Sequence, residues 1–252
     1  MKRIRTIICA LALIAVTALS AQTRIIAHRG YWTPAGSAQN SLAALIGAHN
    51  IGAYGSEFDV WITADDMLVV NHNSKIDGIT IETANYSQLK DKQLANGESL
   101  CTLKSYLETG KKQPDTKLIL EIKPHSKEKN ENRCVDAVVK MVADEGVQNQ
   151  VEYISFSLNV CKRLVAKVPE AKVSYLNGDL SPKQVKELGM TGIDYSGPLF
   201  AIHPDWMRQA HDLGLTVNVW TIDDLDDLNN FIKAGADFIT TNKPVEGLKL
   251  TN

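Results

Sequence analysis

Eight short apolar runs, most of them separated by amphipathic helical patterns, constrain this chain more than any other feature. The runs are RIIAHRG (24–30), SEFDVWI (56–62), LILEIK (118–123), VEYISF (151–156), KVSYLN (172–177), GIDYS (192–196), TVNVWT (216–221) and DFITTN (237–242). Between them stand SLAALIGAHNIG, RCVDAVVKMVADEG, NVCKRLVAKV, SPKQVKELG, PDWMRQAHDLG and LDDLNNFIKAG. Several of these end in the glycine with which a helix enters a short turn. Strands joined through helices run parallel, and a parallel sheet needs both faces covered. With 252 residues, 44% of them hydrophobic, the economical closure is an α/β TIM barrel, (β/α)8. An open doubly wound sheet is the alternative. The glycine-rich dinucleotide turn it would carry is missing after the first run, where HRGYWTPAG stands.

One apolar run lies outside that count. MLVVNH (67–72) follows the second strand after only ADD, too short for a crossover, so the two are expected to form an antiparallel β-hairpin. Centring the turn on Asp65 and Asp66 places His72 opposite Asp59, in a pairing without a bulge. The stretch 73–115 has little strand character and reads as a small inserted segment, with SYLETGKK as a helix. No internal repeat or domain linker interrupts the rest.

Residues 1–21 read as a secretory signal peptide. Lys2, Arg3 and Arg5 precede an apolar run from Ile7 to Leu19, then small residues suited to cleavage near Ala21. An uncleaved anchor is the alternative. The mature chain, 22–252, is then expected to be exported, periplasmic or secreted, with no stable membrane insertion after signal cleavage. Cys101, Cys134 and Cys161 remain, an odd number without close spacing, so small buried hydrophobes describe them better than a disulfide framework or zinc site. A net charge of −2 gives no electrostatic case for nucleic acid or for an anionic membrane. Any phosphate must be held by local groups.

Such groups collect at the ends of the predicted strands, where barrels of this class place their chemistry. Glu57 and Asp59 are two residues apart in one strand, so both carboxylates face one side while Phe58 and Val60 face the other. Glu121 and Lys123 repeat the spacing in the next parallel strand. His28 and Arg29 end the first, Trp220 ends the seventh, and the hairpin brings His72. Alone, each has a structural explanation: a wet strand face, an ion pair, a turn residue, a packing aromatic. Together, three carboxylates without cysteine suit one divalent cation, Mg²⁺ or Ca²⁺, better than zinc. Arg29 and Lys123 would clamp a phosphate, and two histidines would divide proton removal and proton donation. That set describes phosphodiester cleavage. His49, His203 and His211 are read as structural, and His125 is too weakly placed to assign.

AHRG, then QNS opening a helix, then GSEFDVWITADDMLVVNH, LILEIKP, ISF and NVWT resemble, in order, the glycerophosphodiester phosphodiesterase family. The likeness runs from Ile25 to about Asn242. It implies a TIM barrel with a small inserted segment after the second strand and its hairpin. It implies a divalent metal held by Glu57, Asp59 and Glu121, His28 and His72 as the acid/base pair, and Arg29 and Lys123 toward the phosphate. Trp220 also matches a family feature. The substrate class implied is a small glycerophosphodiester, cleaved to glycerol 3-phosphate and an alcohol.

Two positions depart from the pattern. The family usually has Glu-Asn-Thr where Gln39, Asn40 and Ser41 stand, and His-Asp where His72 and Asn73 stand. Neither change removes an expected ligand or histidine. The rival readings are a phospholipase D-like or phosphoinositide-specific lipase, which should carry an exposed apolar rim, and a non-catalytic phosphate-binding barrel. Tyr31, Trp32, Tyr175 and Trp220 are candidates for an alcohol-binding pocket. The sequence does not specify the head group or the oligomeric state.

Overall fold

The computed structural model describes residues 22–251; the segment read as a signal, with Cys9, lies outside the described residues. The strands are, in order, β1 (Arg24–Ala27), β2 (Gly55–Ile62), β3 (Leu68–Val70), β4 (Lys75–Ile76), β5 (Ile79–Thr80), β6 (Lys117–Ile122), β7 (Val151–Ser155), β8 (Val173–Tyr175), β9 (Gly192–Ser196), β10 (Thr216–Trp220) and β11 (Phe238–Thr241). Eight of them pair in parallel in the order β1-β11-β10-β9-β8-β7-β6-β2. The ring closes where Ile26 and Ala27 of β1 meet Gly55 and Ser56 of β2. The predicted (β/α)8 barrel is the observed fold.

The helices are α1 (Leu42–Asn50), α2 (Leu103–Gly110), α3 (Glu128–Glu145), α4 (Leu158–Lys167), α5 (Pro182–Glu187), α6 (Gly197–Ile202), α7 (Trp206–Asp212), α8 (Leu225–Ala234) and α9 (Pro244–Thr251). Serine or threonine side chains cap several N-termini: Ser41, Thr102, Ser157 and Ser181 each accept a first-turn N–H. Helices α3 and α8 stop at Gly146 and Gly235, both left-handed. Two helices carry no signal in the hydrophobic pattern. Helix α6 is only six residues long, and α9 opens on Pro244 and contains Gly247.

Alternation in β2 sorts its side chains as expected. Phe58 and Val60 join the sleeve between barrel and helices, where Phe58 stacks on Tyr106 at 4.1 Å. Complete burial of each such side chain contributes about 2 kcal/mol. Glu57 and Asp59 point into the barrel. Its interior is filled by Ile26, Ile119, Ile154, Leu176 and Phe238, and the three cysteines are buried and unbonded.

The hairpin forms, but its register differs from the expected one. Val60 pairs with Val70 and Ile62 with Leu68, so Asn71, not His72, lies across from Asp59, donating its N–H to the Asp59 carbonyl at 3.0 Å. The cause is the turn. Thr63 N–H reaches the Met67 carbonyl at 2.9 Å, leaving a three-residue loop, 64–66, whose last residue Asp66 is left-handed at φ 66°. Strand β3 ends at Val70, and the chain then turns so that His72 still reaches the mouth.

The inserted segment packs Ile81, Leu89 and Leu100 against Trp61 and Val69 of the hairpin. It also ties back to the barrel: Glu98 accepts the N–H groups of Leu42 and Ala43 at 2.9 and 3.3 Å, at the start of α1.

Candidate active site

The mouth of the barrel is shaped by a turn that needs a glycine. After β1, Arg29 adopts φ 55° and Gly30 φ 76°. A Cβ on Gly30 would lie 2.6 Å from the Ala44 side chain, so only glycine lets this loop rest on α1. The left-handed Arg29 turns its backbone N–H onto Glu57 Oε2 at 2.8 Å.

Glu57, Asp59 and Glu121 converge there, each offering one oxygen within 4.8 Å of the others. They are 3%, 1% and 6% exposed, and β2 and β6 set Asp59 directly beside Glu121. Burial pushes Glu57 well above the usual carboxylate range, with Asp59 and Glu121 adding repulsion. The same causes, burial and then Asp59, raise Glu121 to about 8. Burial would raise Asp59 too, but Lys123, Asn40 and Arg29 hold it below its ordinary value.

Lys123 Nζ lies 3.1 Å from Asp59 Oδ1 and 2.8 Å from Glu121 Oε1. Glu57 Oε1 has no hydrogen-bond partner among the described residues. A buried carboxylate oxygen without a donor, beside two further acids that share one lysine, fits a hard divalent cation. The sequence-predicted ligand set is therefore assembled, and its donors are chemically suited to the ion.

Asn40 has a larger part than its place in QNS suggests. Ser41 caps α1, whereas Asn40, left-handed at φ 62°, holds Asp59 from two sides. Its Nδ2 donates to Asp59 Oδ2 at 2.9 Å and its Oδ1 accepts the Asp59 N–H at 3.1 Å. Arg29 Nη1 donates to Gln39 Oε1 at 2.7 Å, and Arg29 Nε stands 3.9 Å from Asp59 Oδ2.

His28 and His72 line one cavity with Arg29, Glu57, Glu121 and Lys123. His28 Nδ1 is 3.0 Å from Asn242 Oδ1, which also accepts the indole N–H of Trp32 at 3.1 Å. Asn242 Nδ2 donates to Asp223 Oδ2 at 2.8 Å. The indole can only donate, so the Asn242 atom facing both rings is the oxygen, and Nδ1 of His28 must carry the proton. That leaves Nε2 of His28 as the basic nitrogen. Burial, then Arg29, lowers this imidazole to about 4. Burial also lowers His72, opposed by the charge of Asp59; its Nδ1 lies 3.0 Å from Asn73 Oδ1.

Trp220 walls the cavity beside Phe156, ring centroids 5.4 Å apart, while its N–H is held by the Asp194 carbonyl at 2.7 Å. Tyr175 is buried in the outer sleeve and Tyr31 packs beside α1, so neither lines this cavity. Trp32 acts on Asn242. His125 is structural: its Nδ1 meets the Lys123 carbonyl at 2.8 Å and its Nε2 accepts the Ile62 N–H at 3.3 Å. Asn40, Asn242, Asp223 and Phe156 do not stand out in the sequence. For Asn40 a signal exists, an asparagine at a turn where left-handed backbone is tolerated.

A profile of the Glycerophosphoryl diester phosphodiesterase family matches residues 28–246. Among curated proteins, a glycerophosphodiester phosphodiesterase of Caldanaerobacter subterraneus subsp. tengcongensis is 27% identical over 244 residues, covering 88% of this chain and 95% of its own. A solved glycerophosphodiester phosphodiesterase from Parabacteroides distasonis superposes with a TM-score of 0.91 at 46% identity, over 92% of this chain and 98% of its own. An Oleispira antarctica phosphodiesterase, solved in complex with the product sn-glycerol-3-phosphate, gives a TM-score of 0.78 at 23% identity, over 91% and 96%. At that identity the last likeness is one of fold.

Proposed function

The chain belongs to the glycerophosphoryl diester phosphodiesterase family, and on that premise we propose that it hydrolyses glycerophosphodiesters to sn-glycerol 3-phosphate and an alcohol with the help of one divalent cation. The observation that carries this reading is the meeting of three buried acids, two cations and two imidazoles at one barrel mouth. The neighbour that holds sn-glycerol-3-phosphate supports the product named.

His28 is the base in this reading. Its Nδ1 proton is tied to Asn242, and its neutral Nε2 takes a proton from the attacking water, whose oxygen forms the new bond to phosphorus. The P–O bond to the leaving alcohol breaks, and that oxygen takes a proton from His72. Arg29 and Lys123 balance the charge of the phosphate oxygens. Glu57, Asp59 and Glu121 would hold the cation, Mg²⁺ or Ca²⁺, which when bound supplies Lewis-acid polarisation of the phosphoryl oxygen. Asn40 keeps Asp59 in place for that role.

Small water-soluble diesters fit better than membrane lipids. Among the described residues, the inserted segment 73–115 exposes no large apolar side chain. The N-terminal pattern of residues 1–21 supports an exported, periplasmic or secreted enzyme whose barrel begins after residue 21.

Release of glycerol 3-phosphate from a panel of glycerophosphodiesters, after chelation and again with Mg²⁺ or Ca²⁺ restored, tests the proposal. Metal-restored release is expected. Release from intact lipids alone would replace it with the lipase reading, and no release from folded protein would replace it with a binding barrel.

A further inference from the structure

Glu98 belongs to the inserted segment, in a turn closed by the Leu94 N–H on the Glu98 carbonyl at 2.7 Å, yet its carboxylate is directed at the first turn of α1. Its Oε2 accepts the N–H of Leu42 at 2.9 Å and its Oε1 that of Ala43 at 3.3 Å. Ser41 Oγ takes the next one, from Ala44, at 3.0 Å. Glu98 Oε1 also accepts Asn96 Nδ2 at 2.7 Å, and that amide donates to the Gly36 carbonyl at 3.2 Å. The inserted segment therefore grips both the start of α1 and the loop that leads into it.

That first turn supports two groups of the candidate site. The Ala44 carbonyl accepts the Tyr31 N–H at 2.9 Å, which fixes the loop bearing Arg29. Asn40, next to the cap Ser41, clamps Asp59 from two sides. Arg29 and Asn40 are two of the four non-glycine residues with left-handed backbone among the described residues, and the Asn40 N–H meets the Arg29 carbonyl at 3.0 Å. Left-handed backbone on a residue with a Cβ is strained and persists only where surrounding contacts hold it. A carboxylate on the free N–H groups of a helix start supplies such a hold. We infer that Glu98 is a positioning residue for the cation, acting through the first turn of α1 on Asn40 and so on Asp59. The inference rests on the metal-dependent hydrolase reading and deepens it: the inserted segment sets cation affinity without touching the cation. Coupling of this kind is reciprocal, so a cation on Asp59 steadies the Glu98 contact in turn.

The test titrates Mg²⁺ and Ca²⁺ calorimetrically into wild type, Glu98→Ala, Glu98→Gln and Ser181→Ala. The last removes a helix cap from α5, which follows β8 on the far side of the ring from β1. Glu98→Ala is expected to weaken the cation about fivefold, the worth of one helix-cap contact. Glu98→Gln keeps one acceptor oxygen and should lose less. Ser181→Ala should stay within about twofold of wild type, as a distant and independent site. Thermal melts verify that the variants are folded. Hydrogen exchange on wild type gives a second readout: with the cation bound, the Leu42 and Ala43 amides should exchange about fivefold more slowly, and the Gln184 amide of α5 should not change. This readout needs no substitution and decides the matter should Glu98→Ala fail to fold. Unchanged affinity in folded Glu98→Ala overturns the inference, as does equal weakening in Ser181→Ala or exchange at Leu42 and Ala43 indifferent to the cation. Wild type that binds neither ion overturns the metal reading itself, whereas wild-type binding kept in Glu98→Ala overturns only the role of Glu98.

Discussion

Nδ1 of His72 lies 3.0 Å from Oδ1 of Asn73, so this imidazole is oriented by a neutral amide next to it in the chain. A carboxylate in that position would favour the protonated ring. If His72 donates a proton to the leaving oxygen, its ionisation sets the alkaline limit of activity. Asn73→Asp should therefore move the alkaline limb of the kcat profile upward by about one pH unit. A limb that stays in place would remove His72 from the acid role.

Asn242 is a positioning residue for His28, held in turn by Asp223. Asn242→Leu removes the acceptor without much change in volume, freeing the ring to take the other tautomer. We expect kcat to fall by about ten- to a hundredfold with KM changed less than about threefold. Asn242→Asp combined with Asp223→Asn, which keeps an acceptor for the Nδ1 proton and a donor–acceptor contact behind it, should recover most of the rate. Equal losses in both variants would point to a structural role instead.

Without a bound cation, Glu57 and Glu121 hold protons above the usual carboxylate range because of burial and the neighbouring acids, Glu121 up to about 8. The folded chain then binds more protons than the unfolded one between the ordinary carboxylate value and that pH. The stability of the chelated protein must fall as pH rises through this window. A divalent cation displaces those protons, so its stabilising effect should grow with pH. Melting temperatures at pH 5 and pH 8, with chelator and with Mg²⁺, should differ by several degrees more at pH 8. A difference independent of pH would mean that the acids do not bind the ion.

His28 shifts stability in the opposite direction. Its folded value, lowered to about 4 by burial and by Arg29, lies below the ordinary imidazole value. Between those two values the unfolded chain binds the extra proton, so stability is present at neutral pH and lost as pH falls toward 4. The contribution is on the order of 3 kcal/mol at most, at about 1.4 kcal/mol per pH unit. In metal-saturated protein, urea midpoints of His28→Gln should depend less steeply on pH between 4 and 6.5 than those of wild type. Parallel curves would show that the ring is solvated.

Much of this site is legible in the amino-acid sequence. Period-two alternation puts Glu57 and Asp59 on one face, and in the structure they share it, because a strand permits no other arrangement without a bulge. Eight strands separated by helices leave few closures other than the barrel. The hairpin register is not legible in the same way. It turns on one left-handed aspartate, Asp66, in a loop whose length can be divided between turn and strand in more than one way. Helices α6 and α9 are too short or too interrupted to declare themselves by periodicity.

The sequence by itself determined the fold class and which side chains share a strand face, because periodicity depends on near neighbours alone. Tertiary structure decided which groups act through others. Asn242 meets His28 from 214 positions away along the chain, and Asn40 grips Asp59 only because a left-handed turn faces β2. Asp194 and Asn218 come together across two strands as register partners on the inner face of the barrel. Such relationships arise from barrel closure, which brings distant strand ends to one axis, and no pattern read along the chain contains them.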